Sequence, residues 1–315
     1  MQVYSFHPQR SPQNGSVVTI GSFDGVHLGH QALIRHVVSQ AQRRLFSSDL
    51  VTFDPHPQTV LRGHRMPVLT CLEARLRLFR GLGLDRVALI PFTRDLAAMA
   101  PEAFVREYLL TRFHVRKVVI GYDFAFGHSR QGSAAIMAGM GRQYGFEVEV
   151  FPQVKLGDSE ISSTRIRQAL AGADFDAAQA MLGRPFSVLA PVVRGDGRGR
   201  ELGVPTLNQV PLEPLALATG VYAGRGILDG KSYPAVLNYG VRPTVGGRHR
   251  VLETHLFGFE GDGVGRWAEI TPLLKLREEQ KFPSLEALKA QILTDMERAM
   301  EWLNNRPSPP PDSPA

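Results

Sequence analysis

Short apolar runs alternate with amphipathic stretches through the first half of the chain. Val17-Val-Thr-Ile20 is β-branched and closes at Gly21. Leu33, Val37 and Ala41 then recur at four-residue spacing, which predicts a helix from about Gly29. Leu50–Phe53 predicts the next strand. Thr70 and Glu73 have capping-box spacing, predicting a helix that contains Cys71, continues through Leu76 and Phe79, and ends at Gly81 and Gly83. Val87–Ile90, Val118–Ile120 and Val148–Val150 predict three more strands, and Pro101 suits the first turn of a helix reaching about Leu110. Short apolar strands, each followed by a helix, imply a parallel sheet covered on both faces. Two helices close this unit, one near Ser163 and one capped by Asp174 and ended by Gly183.

The pattern changes after Gly183. Phe186–Val193, Gly220–Leu228, Tyr233–Tyr239, Val251–Phe257 and Trp267–Leu276 are strand-like, with Gly and Pro turns between them. Strands without intervening helices predict a small barrel or sandwich. Leu285, Leu288, Ile292, Met296, Ala299 and Leu303 then form one apolar stripe of a long final helix. Residues 304–315 are Pro-rich and expected to be disordered or polyproline-like. The expected organisation is therefore 1–183, 184–303 and a tail, an α/β domain followed by a β domain.

Composition narrows the function classes. The 315 residues are 43% hydrophobic and 21% charged, which excludes wholesale disorder. The net charge is +6, which suits anionic partners. Residues 1–180 hold 20 basic and 15 acidic side chains, so +5 sits in the first half. Arg43–Arg44 and Arg116–Lys117 are the only basic runs and are read as solvated faces. A nucleic-acid partner is therefore not expected. Cys71 is alone, so no internal disulfide is implied. No apolar run reaches the ~18 residues of a membrane span, and the N-terminus lacks a leader pattern, so no membrane partner and a cytoplasmic location are expected. Nothing in the pattern specifies an oligomeric state.

Gly21-Ser-Phe-Asp-Gly-Val-His-Leu-Gly-His30 lies between a strand and a helix start. Free N–H groups and partial positive charge there suit phosphate. Gly25 and Gly29 allow close backbone approach, and His27 and His30, three apart, share one side of the first turn. Metal ligation by the pair is disfavoured, because no carboxylate or third His lies at ligand spacing. Ile161-Ser-Ser-Thr-Arg-Ile-Arg167 opens a later helix. Ser162, Ser163 and Thr164 offer hydroxyls and Arg165 a planar fork for phosphate.

The His-x-Gly-His element resembles the nucleotidyltransferase signature. With Phe53-Asp-Pro-His-Pro57, Gly121-Tyr-Asp-Phe-Ala-Phe-Gly127 and the Ser-Ser-Thr-Arg word, the first half resembles the FMN adenylyltransferase module of the prokaryotic bifunctional riboflavin kinase/FAD synthetase family. Leu182-Gly-Arg-Pro185, Leu202-Gly-Val-Pro-Thr-Leu-Asn208, Asn238-Tyr-Gly-Val-Arg-Pro-Thr244, Leu252-Glu-Thr-His255 and Leu276-Arg-Glu-Glu-Gln-Lys-Phe282 continue the likeness in the same order, over about residues 14–300. Ser22 stands where the family usually has Asn, Ala125 where it has Arg, and Leu207 where it has Ala. Residues 263–269 lack its usual Tyr-Gly.

This resemblance implies a Rossmann-like nucleotidyltransferase domain and a riboflavin kinase barrel. It implies ATP as co-substrate, Mg²⁺ as cofactor, and riboflavin, FMN and FAD as substrates and products. Glu253 matches the kinase base, with Thr206 and Asn208 as Mg²⁺ ligands and Gly203 and Asn238 in the substrate site. His27 and His30 match the groups that stabilise the reacting α-phosphate. Gly21, Phe23, Asp24, Gly25, Gly29 and the Ser162–Arg165 word match nucleotide-binding positions. Asp123 and Phe124 sit where the family binds flavin, and Phe124 either stacks on the ring or packs in the core. Asp24 and His56 lie in matching words without an assigned role. Read without the family, Pro-Thr-Leu-Asn is a turn and Glu253 a surface carboxylate. Two other classes remain at this stage: a nucleotidyltransferase for another phosphorylated acceptor with a barrel used only for binding, and a non-catalytic flavin- or RNA-binding protein.

Overall fold

The computed structural model describes residues 1–5, 14–128, 131–244 and 247–305, so the Pro-rich tail lies outside the described residues except for Asn304 and Asn305. Its packing divides into two units, residues 1–66 with 74–162, and residues 67–73 with 163 onward.

The first unit is built on six parallel strands. Their spatial order is Gln2–Ser5, Arg86–Pro91, Ser47–Asp54, Ser16–Ile20, Val115–Gly121 and Glu147–Phe151. Gln2–Ser5 carries no apolar run and escaped the sequence pattern. The central strands read as unbroken apolar runs because both faces are buried. Val17, Leu50, Val87 and Val119 pack on one side with Leu33, Ile34 and Val37 of the helix Leu28–Arg44. Their neighbours Val18, Val51, Ala88 and Val118 pack on the other with Phe104 and Tyr108. The strand order reverses direction at Ser16–Ile20, and open α/β sheets bind ligands beyond the carboxyl ends of strands at such a point.

Two expectations change here. Lys117 is buried, not solvated, because its strand carries it beside Glu149 and Gln40, with Gln40 Oε1 3.2 Å away. The helix expected from Thr70 starts at Leu72, so Cys71 precedes it, and Cys71 Sγ donates to Leu189 O at 3.3 Å.

The second unit holds a closed antiparallel barrel. Its order is Val188–Val193, Leu207–Gln209, Gly247–Leu256, Lys231–Thr244, Gly220–Leu228 and Trp267–Arg277. Leu207–Gln209 is a strand rather than the turn its Pro-Thr start implied. Gln209 is buried, and its amide donates to Ala190 O and Ala268 O at 2.7 and 2.9 Å. The helices Ser163–Ala171 and Phe175–Leu182 pack in this unit, where the ring of Phe175 meets that of Tyr222 edge-on at 5.9 Å. The terminal helix Leu285–Asn304 is capped by Ser284, and Ala299 packs with Val221, Ala223 and Leu276. Its apolar stripe is only partly used. Leu285 is 66% exposed, while the polar Asp295 is buried.

Candidate active sites

The loop after Ser16–Ile20 is shaped by its own backbone. Phe23 and Val26 adopt φ of 50° and 41°, a region that costs non-glycine residues about 1–3 kcal/mol each. Burial of both side chains holds them there, with Phe23 meeting Phe79 at 6.0 Å. Ser22 O accepts from Arg75 Nη1 at 2.8 Å and Thr52 Oγ1 at 3.2 Å, fixing the loop from beneath. A loop so constrained delivers His27 as the N-cap of the helix Leu28–Arg44. His27 Nδ1 accepts the N–H of His30 at 3.3 Å, and the two rings stack with centroids 3.6 Å apart. Gly29 permits this, since a Cβ there would lie 3.2 Å from the His27 ring. Phe23 contacts His30 edge-on at 5.1 Å.

Burial first, and the neighbouring His27 second, hold the His30 imidazole well below its ordinary pKa. His30 Nδ1 is buried without a hydrogen-bond partner. The pair thus sits at a helix start, with His30 held toward its neutral form, and an imidazole there can donate to an anion. Gly21, Asp24 and Gly25 belong to the same loop, and Asp24 is buried.

The strand Val115–Gly121 neighbours Ser16–Ile20 and ends in a turn, with Phe124 N–H donating to Gly121 O at 3.1 Å. Asp123 is exposed there. Phe124 stacks on Phe126 at 5.2 Å, so core packing accounts for one face of its ring. His56 caps a six-residue helix, accepting from Gln58 N–H at 3.2 Å. Ser162 closes the sheet unit. Ser163, Thr164 and Arg165 open the helix Ser163–Ala171 of the barrel unit, where Arg167 Nε donates to Pro67 O at 2.8 Å.

The barrel unit contains a cavity of about 350 Å³ whose wall includes Thr206, Asn238 and Glu253. Strand register makes this cluster. Glu253 stands opposite Asn208 on one neighbouring strand and opposite Asn238 on the other. Asn238 Nδ2 donates to Glu253 Oε2 at 3.4 Å. Glu253 is half-buried, so it is not a plain surface carboxylate. Asn208 Nδ2 donates to Thr206 O at 3.3 Å, while its Oδ1 is buried and unpartnered. Gly203, with φ of 81°, lies in the turn just before this strand. A more open hollow of about 630 Å³ lies on the same barrel, walled by Arg200, Pro205, Phe259, Glu260, Asp262 and Arg266, with Arg266 Nη1 paired to Asp229 Oδ2 at 2.5 Å. Pro205 and Thr206, consecutive residues, line the hollow and the cavity respectively.

Arg75 was not singled out by the sequence, because it is an isolated arginine, whereas Arg200 belongs to the flexible, basic loop Gly195–Arg200, whose composition suits phosphates. Among the described residues no three His, Cys, Asp or Glu side chains form a metal cluster, and no helix is long and apolar enough to cross a membrane.

The chain thus combines a Rossmann-like unit bearing a helix-start histidine pair with a six-stranded barrel bearing a Glu–Asn cluster, two separate candidate sites. Residues 9–165 match the FAD synthetase family and residues 182–303 the riboflavin kinase family. The chain is 39% identical to the bifunctional riboflavin kinase/FMN adenylyltransferase of Pseudomonas fluorescens, over 94% of this chain and 96% of that one. It is 38% identical to the Escherichia coli K12 protein so described, over 93% and 94%. A solved structure from Streptococcus pneumoniae, described as a macrolide-efflux protein, superposes with a TM-score of 0.79 at 29% identity, covering 96% of this chain and 100% of that one. The chain belongs to the bifunctional riboflavin kinase/FMN adenylyltransferase family. A barrel that only binds is not favoured, since its own segment matches the kinase family.

Proposed function

We propose that each unit carries one ATP-dependent step of flavin cofactor synthesis. The observation that supports the kinase assignment most is Glu253, tied to Asn238 in the wall of the barrel cavity. Riboflavin's 5′-hydroxyl is a poor nucleophile, and a positioned carboxylate overcomes this as general base. Glu253 takes the hydroxyl proton as the oxygen attacks the γ-phosphorus of ATP, and ADP leaves with FMN formed. Riboflavin takes the cavity and ATP the more open hollow, where Arg200 meets phosphates and Phe259 offers an apolar face. Gly203 and Asn238 border the transfer point.

Thr206 and Asn208 are suited to Mg²⁺. Both offer hard oxygens, and the buried Asn208 Oδ1 lacks any other partner. Mg²⁺ at that position supplies charge neutralisation of the phosphates.

At the sheet, FMN's phosphate oxygen attacks the α-phosphorus of a second ATP and pyrophosphate leaves, giving FAD. The attacking phosphate is already anionic, so this step requires alignment and charge stabilisation rather than a base. His27 and His30 donate to the α-phosphate. Gly21, Phe23, Asp24, Gly25 and Gly29 shape the nucleotide cradle, Ser162, Ser163, Thr164 and Arg165 hold the triphosphate, and Asp123 and Phe124 border the flavin. The functional seam falls at 183/184. The protein works in the cytoplasm, where ATP is supplied, on small molecules without nucleic-acid or membrane partners.

The test is incubation of purified protein with riboflavin, ATP and Mg²⁺, followed by separation of flavins. FMN should form first and FAD second. FMN accumulating without FAD would defeat the adenylyltransferase half, and absence of FMN the kinase half.

A further inference from the structure

The strap after the last barrel strand brings a second carboxylate to the kinase cavity. Glu279 and Glu253 both line it. The Glu279 carboxylate rests over Gly240: a Cβ on Gly240 would lie 2.1 Å from Glu279 Oε1 and 3.5 Å from Asn238 Nδ2. Asn238 and Gly240 are alternate residues of one strand and face the same way. Asn238 therefore sits between two carboxylates, bonded to that of Glu253 and adjacent to that of Glu279.

The flanking residues fix this placement. Arg277 Nη1 donates to Glu278 O at 3.0 Å, anchoring the backbone just before Glu279. Lys275 Nζ engages the Glu278 carboxylate at 2.7 Å, so this lysine is occupied by the neighbouring acid. Among the described residues nothing hydrogen-bonds to, or pairs with, Glu279.

An ionised carboxylate only accepts hydrogen bonds, so its partner in the ligand must be a donor. Riboflavin offers two kinds. The flavin ring has one N–H, on the far side from the side-chain attachment. The ribityl chain carries hydroxyls contiguous with the one that reacts. A carboxylate one strand step from the base's own amide partner meets the chain, not the distant ring N–H. We propose that Glu279 determines specificity for the polyhydroxylated side chain by accepting a hydrogen bond from a ribityl hydroxyl next to the reacting one. This rests on the kinase reading of the barrel.

Two variants test it in different ways. Glu279→Ala removes the acceptor. Gly240→Ala keeps the carboxylate but places a methyl group where it rests. The probes are riboflavin and 7,8-dimethyl-10-(5-hydroxypentyl)isoalloxazine, which keeps the ring and terminal hydroxyl but lacks the inner ones. Affinities come from flavin fluorescence, together with kcat/KM for riboflavin and KM for ATP. In both variants riboflavin affinity and kcat/KM should fall about tenfold or more, as for loss of a hydrogen bond to a charged acceptor. The Kd of the pentyl analogue and the KM for ATP should stay within about twofold, so discrimination between the flavins collapses. Equal weakening of both flavins, or unchanged discrimination, overturns the proposal while leaving the kinase reading intact. If the unaltered protein does not phosphorylate riboflavin, the kinase reading falls and the proposal with it.

Discussion

His27 holds the backbone N–H of His30 through its Nδ1 at 3.3 Å while its ring lies 3.6 Å from the His30 ring. This single contact fixes a tautomer. An Nδ1 that accepts cannot carry the proton, so the His27 proton resides on Nε2. The helix cap and the proposed anion donor are thus the same side chain.

His30→Ala should therefore remove FAD formation and leave FMN formation intact. Loss of one preorganised donor at a developing charge costs about 10²–10³ in rate. FMN and FAD are measured separately, from riboflavin and from supplied FMN. Loss of both activities from this one change would refute independent sites.

The low pKa of His30 makes a pH prediction. Its folded pKa lies below the ordinary value of about 6.5 regained on unfolding. On acidification the unfolded chain takes up a proton that native His30 refuses. Stability thus falls as pH drops below about 6.5, and the loss levels off below the folded pKa. Denaturation midpoints of the wild type and His30→Gln, compared from pH 7.5 downward, should show this difference. A histidine titrating normally by NMR would contradict it. Adenylyl transfer should correspondingly keep its rate down to about pH 6.

Much of this architecture was legible in sequence because the central strands bury both faces. Val17 and Val18 each find a core, so the run is apolar without alternation. Gln2–Ser5 was invisible because it is short and mostly polar, and its place comes from pairing with Arg86–Pro91. Leu207–Gln209 was hidden for a different reason. The buried amide of Gln209 donates to two barrel carbonyls that local sequence cannot reveal. Lys117 misled because the charge that buries with it, on Glu149, lies on another strand. The His27–His30 spacing was readable from helix periodicity. The Glu253–Asn238 pairing needed strand register, which is why Glu253 looked unremarkable before the family likeness was considered.

Register also makes the kinase base separable from the sheet chemistry. Glu253→Ala should abolish FMN formation while FAD still forms from supplied FMN. A general base contributes about 10²–10⁴-fold. Asn238→Ala should cost less, because it only frees the carboxylate that Asn238 Nδ2 holds at 3.4 Å. Single-turnover phosphorylation of riboflavin measures both. An Asn238→Ala loss as large as that of Glu253→Ala would mean that Asn238 itself contacts the reacting atoms.

A buried ion pair joins the last barrel strand to the terminal helix. Arg277 Nε lies 2.9 and 3.1 Å from the two oxygens of Asp295, and Nη2 lies 2.8 Å from Oδ2. The Asp295 side chain is 2% exposed, and Gln291 Nε2 donates to it at 3.0 Å. Arg277 also lies over the Phe282 ring at 5.6 Å. Removing one member of a buried pair strands the other charge, which costs about 3–5 kcal/mol, whereas apolar replacement of both is often close to neutral. Asp295→Ala should therefore lower unfolding stability by that amount, and Arg277→Met with Asp295→Leu should restore most of it. Glu278→Ala is the contrast, since its 2.7 Å pair with Lys275 is solvent-facing and worth at most about 1 kcal/mol. Urea denaturation of the four proteins separates these cases. A Glu278→Ala loss equal to that of Asp295→Ala would show that burial does not set the value of the helix anchor.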